Sequence, residues 1–376
     1  MKKNHYILGF SRRRSGAFEH SWNLAKNLDK RGYEAKYYSS WWEDAPVDVN
    51  LLTEEIHPLE EKELKNLNGI IHLQTHTWEY RGLLDKILAG KKQTLIYGLH
   101  AIIPYYHIKE SDKIPFLDGG FPQSYANSLI NNLSEREKAQ LSAIDKSDYL
   151  FTISKNHKKA LELFGIQKPI HVFENVSDFY DLPEEIIKET NNKALEFRES
   201  LRKENILLYC GRIYFKKGAN CLFESFKKIR KEYPSSQLVL LGTKEEMKEE
   251  MIRYGLDETI ANSITFVPWI KKLERNSIKD ILKYFLASDV LIQPMITPEL
   301  YSKSVIDAMT LGIPTITCKS PYSIGSSEDM GAIFNSFTKI QENSEEVREI
   351  VNKAKKKVAS ENTWDSYISR LEEIVS

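Results

Sequence analysis

Short aliphatic runs alternate with amphipathic helical stretches along most of the chain, and this rhythm constrains the fold more than any other feature. The runs HYILGF (5–10), GIIHLQ (69–74), QTLIYGLH (93–100), DYLFTIS (148–154) and PIHVFE (169–174) read as strands. After the first of them, Phe18, Trp22, Ala25 and Leu28 recur at three- and four-residue steps, and Gly32 follows as a helix stop. Nearly continuous apolar strands must be buried on both faces. Parallel neighbours also need a crossover between them, which a helix supplies. The expectation is therefore a parallel sheet sandwiched by helices.

A polar, helix-prone stretch, DLPEEIIKETNNKALEFRESLRKE (181–204), breaks the rhythm, which then restarts. The second set of strands is NILLYCG (205–211), SQLVLLG (236–242), SITFVP (263–268), DVLIQP (289–294) and PTITC (314–318). At 376 residues the length suits two domains. The reading is an α/β chain of two Rossmann-like domains, 1–180 and 205–359, joined by a linker at 181–204. A last helix at about 360–376, carrying Trp364, Tyr367 and Leu371, is expected to pack back on the first domain. Ligands of open parallel sheets bind beyond the carboxyl ends of the strands, so a cleft between the domains is the expected site.

Composition removes several classes of function. Lys and Arg total 53, as do Asp and Glu, which argues against a dedicated nucleic-acid binder with its surplus of cations. The three cysteines are far apart in apolar surroundings such as LLYCGR and TITCKS, as expected of reduced core thiols in a cytoplasmic protein. The start MKKNHYILGFSRRR reads as a first strand rather than a signal peptide, and no run of eighteen apolar residues is present to cross a membrane. His72 and His76 lack the further ligands that a zinc site needs, so no metal is expected.

Two segments of the second half carry chemistry. In LLYCGRIYFKKGANCLFESF, a buried strand ends in Gly211-Arg212, and Lys217-Gly218 follow at the start of a helix. Two cations beside a helix N-terminus suit an anion, especially a diphosphate. In SDVLIQPMITPELYSKSVIDAMTLGIPTITC, a strand ends at Pro294, a loop holds Glu299, and a helix near 303–311 carries Asp307. The first N–H groups of that helix, around Ser302, Lys303 and Ser304, suit a phosphate, while carboxylates on either side can accept hydrogen bonds from sugar diols. The apolar neighbours in VIDAM point to a buried, partnered Asp307.

In order and spacing these two segments resemble the nucleotide-binding domain of retaining GT-B glycosyltransferases of the large E-x7-E group. Gly211, Arg212, Lys217 and Gly218 match the family's first segment; Glu299, Ala308, Met309, Gly312 and Pro314 match its second. Asp307 stands where the second Glu is usual, Ser302 where Gly is, and Tyr301 where Phe is; FENVSD (173–178) is similar to the family's interdomain N-G-V-D. The first strand, Gly16 and the following helix resemble the family's glycine loop. His100 matches a family histidine that contacts the donor sugar near the reacting carbon.

The resemblance implies a metal-independent, retaining transfer of a sugar from a nucleoside-diphosphate donor, a UDP-sugar above all, to a hydroxyl of a glycan, lipid-linked or protein acceptor, with no cofactor. Glu299, Arg212, Lys217 and His100 would act at the reacting centre. Gly16, Gly211, Tyr301, Ser302, Lys303 and Ser304 would line the donor and phosphate site, and Asp307 would hold the ribose. Arg12, Arg13 and Arg14 could meet an anionic acceptor or lipid headgroups, allowing peripheral contact with a membrane's inner face. The aromatic residues Trp41, Trp42, Trp78, Tyr105, Tyr106, Phe116 and Phe121 follow strands of the first domain, where sugars can stack. The rival reading is a non-catalytic module of the same fold that binds a partner glycosyltransferase or a glycan.

Overall fold

The computed structural model describes residues 4–10, 16–40, 56–58, 66–74, 82–89, 93–99, 133, 135–163, 165–214, 217–270, 277–294, 302–317, 320–325 and 330–376. They form two compact units: the described residues as far as Glu174 together with Trp364–Ser376, and those of Asn175–Thr363.

In the first unit, β1 (His5–Phe10), β2 (Ala35–Ser40), β3 (Ile56–Pro58), β4 (Ile70–Leu73), β5 (Thr94–Leu99), β6 (Tyr149–Thr152) and β7 (Ile170–Val172) make one sheet. Its order is β3-β2-β1-β4-β5-β6-β7, and every pairing is parallel. The intervening helices are α1 (Gly16–Lys30), α2 (Leu83–Leu88), α3 (Glu135–Lys146) and α4 (Lys155–Leu163). Helix α1 buries Leu24, Ala25 and Leu28 on one face. Gly32 ends it in the left-handed region at φ 78°, and the Tyr33 amide turns back to the Leu28 carbonyl at 3.1 Å.

The C-terminal helix, Trp364–Val375, also belongs to this unit and buries Tyr367, Ile368 and Leu371. Arg31, directly after α1, donates to Asp365 at 2.9 Å, and the Tyr33 hydroxyl to Glu372 at 2.6 Å. Arg370 donates to the Val172 carbonyl at the end of β7 and lies over the Phe173 ring.

Inside the same sheet His5 Nδ1 and His72 Nε2 lie 2.8 Å apart, both buried, with the Tyr33 ring edge-on to His5. One imidazole must be neutral to accept from the other. Burial, and then the facing His5, hold His72 well below the ordinary imidazole range. The unfolded chain takes up that proton below about pH 6.5 while the folded chain resists it. Stability is therefore expected to fall as pH drops below that value, by up to about 1.4 kcal/mol per pH unit for this site. Urea midpoints at neutral and mildly acidic pH test this, and His72→Gln should flatten the difference.

The second unit holds α5 (Glu184–Leu201), β8 (Asn205–Cys210), α6 (Ala219–Glu232), β9 (Ser236–Leu241), α7 (Lys248–Ile252), α8 (Glu258–Ala261) and β10 (Ile264–Val267). There follow α9 (Ser277–Leu286), β11 (Val290–Ile292), α10 (Lys303–Leu311), β12 (Thr315–Ile316), α11 (Met330–Gln341) and α12 (Glu345–Glu361). Its parallel sheet runs β10-β9-β8-β11-β12. Successive side chains of β8 alternate between two cores. Leu207 and Tyr209 pack with Phe223, Phe226 and Phe337. Ile206 and Leu208 pack with Phe285, Val305 and Ile306 on the other face.

The stretch 181–204, expected to be a linker, is mostly the helix α5, which lies within this unit and packs on α9 through Phe197 against Tyr284. Its apolar contacts come from Ile186, Phe197 and Leu201, in a stretch otherwise dominated by charge.

Candidate active site

Strand β8 lies between β9 and β11, so the sheet order reverses there, and its carboxyl end opens at a topological switch point. Gly211 follows β8 at φ 139°, a conformation open to glycine, and a Cβ there would project into open space. Arg212 comes next and is exposed. Its carbonyl accepts from the Tyr209 hydroxyl at 2.8 Å. Burial raises the Tyr209 pKa well above the ordinary phenol value, which keeps that proton in place for donation.

Lys217 stands just before helix α6, its amide bonded to the Tyr214 carbonyl at 2.9 Å. Gly218 caps the helix in the left-handed region at φ 71°. A Cβ on Gly218 would fall 1.6 Å from the carbonyl oxygen of Pro294. Only a bare backbone therefore lets the start of α6 approach the end of β11. That approach brings the two motif segments side by side.

The second segment enters α10 through Ser302, the residue before its first turn. The Val305 amide bonds the Ser302 carbonyl at 2.9 Å, while the amides of Lys303 and Ser304 have no acceptor within their own helix and lie at its positive end. Ser302 Oγ and Ser304 Oγ are 3.1 Å apart, and Ser304 donates to Gln293 Oε1 at 3.4 Å. Gln293 is 2% exposed, and its side chain also hydrogen-bonds the Tyr209 hydroxyl. A polar path thus runs from the start of α10 through Gln293 and Tyr209 to the backbone of Arg212. Gly312, at φ 75°, ends the helix as its sequence suggests.

Asp307 lies within the helix and is 3% exposed. Its Oδ1 accepts from Ser177 Oγ at 3.0 Å and from the Asp178 amide at 2.9 Å. The Lys303 ammonium is 2.9 Å from the Val176 carbonyl and 2.6 Å from Asp178 Oδ1. Both side chains are thus engaged by the protein itself.

The structure brings Gly211, Arg212, Lys217, Ser302, Lys303 and Ser304 into one unit around one sheet end, with Asp307 in the same unit but bonded to Ser177 and Asp178. Gly16 is the first residue of α1 in the other unit. Glu299, Tyr301 and His100 lie outside the described residues, as do Arg12, Arg13, Arg14, His76 and the aromatic residues Trp41, Trp42, Trp78, Tyr105, Tyr106, Phe116 and Phe121. Among the described residues no group of three or more His, Cys, Asp or Glu side chains could hold a metal ion. Among them, too, no helix is long and apolar enough to cross a membrane.

Sequence reasoning passed over Trp269. It follows β10, is 41% exposed, and its ring covers Gly242 at the end of β9. A Cβ on Gly242 would lie 2.9 Å from the ring and 3.2 Å from the Gly211 carbonyl. The signal was present in the sequence: an aromatic residue directly beyond the strand SITFVP, where ligands of such sheets gather.

Residues 191–371 match the family model of glycosyl transferases group 1. Spore coat protein SA of Bacillus subtilis (strain 168) is 24% identical over 180 residues, which are 44% of this chain and 46% of that protein. The matched stretch is thus less than half the length of that relative. Among solved structures, Anabaena Alr3699/HepE in complex with UDP and glucose superposes with a TM-score of 0.69 at 14% identity, over 99% of each chain. Sucrose-phosphate synthase from Thermosynechococcus elongatus gives 0.68 at 13% identity, covering 99% of this chain and 98% of that one. WaaG, a glycosyltransferase involved in lipopolysaccharide biosynthesis, gives 0.64 at 13%, covering 99% and 100%. The chain has the α/β fold of the GT-B glycosyltransferases, two Rossmann-like units each built on a parallel sheet.

Proposed function

We propose that this chain transfers a sugar from a nucleoside-diphosphate donor to a hydroxyl acceptor with retention of anomeric configuration. The observation that carries the reading is the joining of Arg212 to the first turn of α10, through Tyr209, Gln293 and Ser304, at the switch point of the second sheet. As the glycosidic bond breaks, negative charge grows on the leaving diphosphate. Arg212, Lys217 and the amides of Ser302–Ser304 are the groups to meet it, and such preorganised donors usually supply the largest share of catalysis. Glu299 would orient the donor sugar and His100 would stand near its reacting carbon. No protein nucleophile is assigned; the acceptor hydroxyl attacks from the face the diphosphate leaves, losing its proton to the departing phosphate.

UDP is the favoured nucleotide, in keeping with the complexes of Anabaena HepE with UDP, with UDP and glucose, and with UDP-glucose. The acceptor is a glycan, a lipid-linked intermediate or a protein. The test is a thermal-shift screen of nucleoside diphosphates and their sugars, followed by turnover of the donor that binds. A binder of the folded state must raise the melting temperature. The anomeric signal of the product then decides retention. Binding without either transfer or donor hydrolysis would favour the non-catalytic module.

Two further outcomes are expected. The chain has no D-x-D triplet to hold a divalent cation on the diphosphate, so turnover should persist in excess EDTA; loss on chelation and recovery with manganese would contradict the scheme. The half-exposed Trp269 ring beside Gly211 offers a face to the nucleobase. Trp269→Ala should weaken UDP binding by about 1–3 kcal/mol, the usual scale of base–aromatic stacking, while Trp269→Phe keeps most of it. Calorimetric titration with UDP measures both.

A further inference from the structure

We propose that Asp307 and Lys303 are positioning residues, which lash the first crossing of the chain between its two units, and through it the second, to the helix that receives the diphosphate. The inference rests on reading the N-terminus of α10 as the donor phosphate site, but the contacts themselves do not depend on it.

The chain leaves the first unit after Glu174 and returns to it at Trp364. Directly beyond the first crossing, Ser177 Oγ and the Asp178 amide both donate to Asp307 Oδ1, at 3.0 and 2.9 Å. Ser177 Oγ in turn accepts from the Phe179 amide at 3.0 Å, which closes a tight local turn. Lys303 lies four residues before Asp307, on the same face of the helix. Its ammonium holds the Val176 carbonyl and Asp178 Oδ1, with the paired side chains 17% and 11% exposed. One helix face thus offers a cation and an anion one turn apart, and both are engaged by residues 176–178.

The returning chain is bound into the same assembly. Asn362, fully buried just before the second crossing, donates from Nδ2 to the Asn175 carbonyl at 2.8 Å. Its own carbonyl accepts from the Ser177 amide at 3.2 Å. Lys357 Nζ donates to Asn362 Oδ1 at 3.2 Å.

These bonds have a consequence for the site. A carboxylate already accepting two protein donors at 3% exposure is committed to the fold, in contrast to the ribose contact that the family resemblance implies. The direction of the α10 first-turn amides is set by how firmly the helix is held. A small misalignment of donors aimed at developing charge is felt in the transition state more than in ground-state binding. Loss of Asp307 should therefore appear in kcat.

The experiment uses the full chain, with UDP, 2′-deoxy-UDP and the donor identified by screening. Asp307→Asn is expected to lower kcat at least tenfold, with donor KM within about threefold of the parent. The ratio of UDP to 2′-deoxy-UDP affinity should stay as in the parent. Ser177→Ala, a milder change, should shift kcat in the same direction, and the double variant should be no worse than Asp307→Asn alone, since both weaken one shared contact, the first by removing a donor and the second by removing the acceptor's charge. Amide exchange at residues 176–179 and 362 should quicken in each variant. If Asp307→Asn erases the discrimination between UDP and 2′-deoxy-UDP, the carboxylate belongs on the ribose and the proposal falls. Unchanged exchange at 176–179 in both variants also overturns it. If Asp307→Asn does not fold, Ser177→Ala decides by the same kcat, KM and exchange readings. Should the parent bind no nucleoside diphosphate, the donor reading fails separately, and the exchange measurement still judges the contacts.

Discussion

Replacing Arg212 by alanine is expected to lower kcat/KM for the donor by about 100- to 1000-fold, a loss of about 3–4 kcal/mol of transition-state stabilisation. The guanidinium is exposed at the carboxyl end of β8. No packed core surrounds it, so the variant should fold as the parent does. Lys217→Ala should act similarly, because its ammonium lies at the start of α6, beside the same sheet end. Arg212→Lys should recover only part of the loss: an ammonium keeps the charge but not the planar fork that binds a phosphate through two hydrogen bonds. Steady-state constants with matched circular dichroism spectra check all three. Parental turnover in the Arg212 and Lys217 double variant would remove both from the chemistry.

Gly218→Ala is expected to be the most damaging single change outside the cores, costing about 3 kcal/mol or more of stability. Two penalties combine. The left-handed backbone at φ 71° is costly for any residue with a Cβ, and the new methyl would sit 1.6 Å from the Pro294 carbonyl oxygen. Relief requires the start of α6 to move away from the end of β11, which separates the segment of Arg212 and Lys217 from that of Ser302–Ser304. Activity in whatever folds should therefore fall by more than stability alone explains. Gly211→Ala provides the contrast, since its Cβ would meet no atom within 4 Å and only the backbone penalty applies. Urea unfolding measures the loss in both variants; a loss at Gly218 no larger than the roughly 1–2 kcal/mol of the left-handed backbone alone would mean that the close approach to Pro294 carries no weight.

Much of the architecture was legible because it rests on periodicity. Runs such as NILLYCG and SQLVLLG carry four or more consecutive apolar residues because their strands are buried on both faces, and each run forms a strand of the second sheet. The helix stops at Gly32 and Gly312 could be read because a left-handed cap is a local demand of the backbone. The spacing of Gly211, Arg212, Lys217 and Gly218 was legible for the same reason: a strand end, a turn and a helix start within a few residues.

Contacts between distant segments follow no such local rule. Asp307 could be read as a buried and partnered carboxylate from its apolar neighbours, but its partners, Ser177 and the Asp178 amide, lie 130 and 129 residues away. Trp269 resembled any aromatic residue after a strand until its ring was found over Gly242, beside the Gly211 carbonyl. His5 and His72 became a pair only when β1 and β4 were placed side by side, with a register that sets His72 opposite Ile7. The sequence alone determined the element types, their order and the cations that flank the helix starts, since these depend on short-range periodicity and backbone preference. Which buried polar group meets which partner was decided only by tertiary structure, because that pairing depends on strand order and helix docking, which no local stretch of sequence encodes.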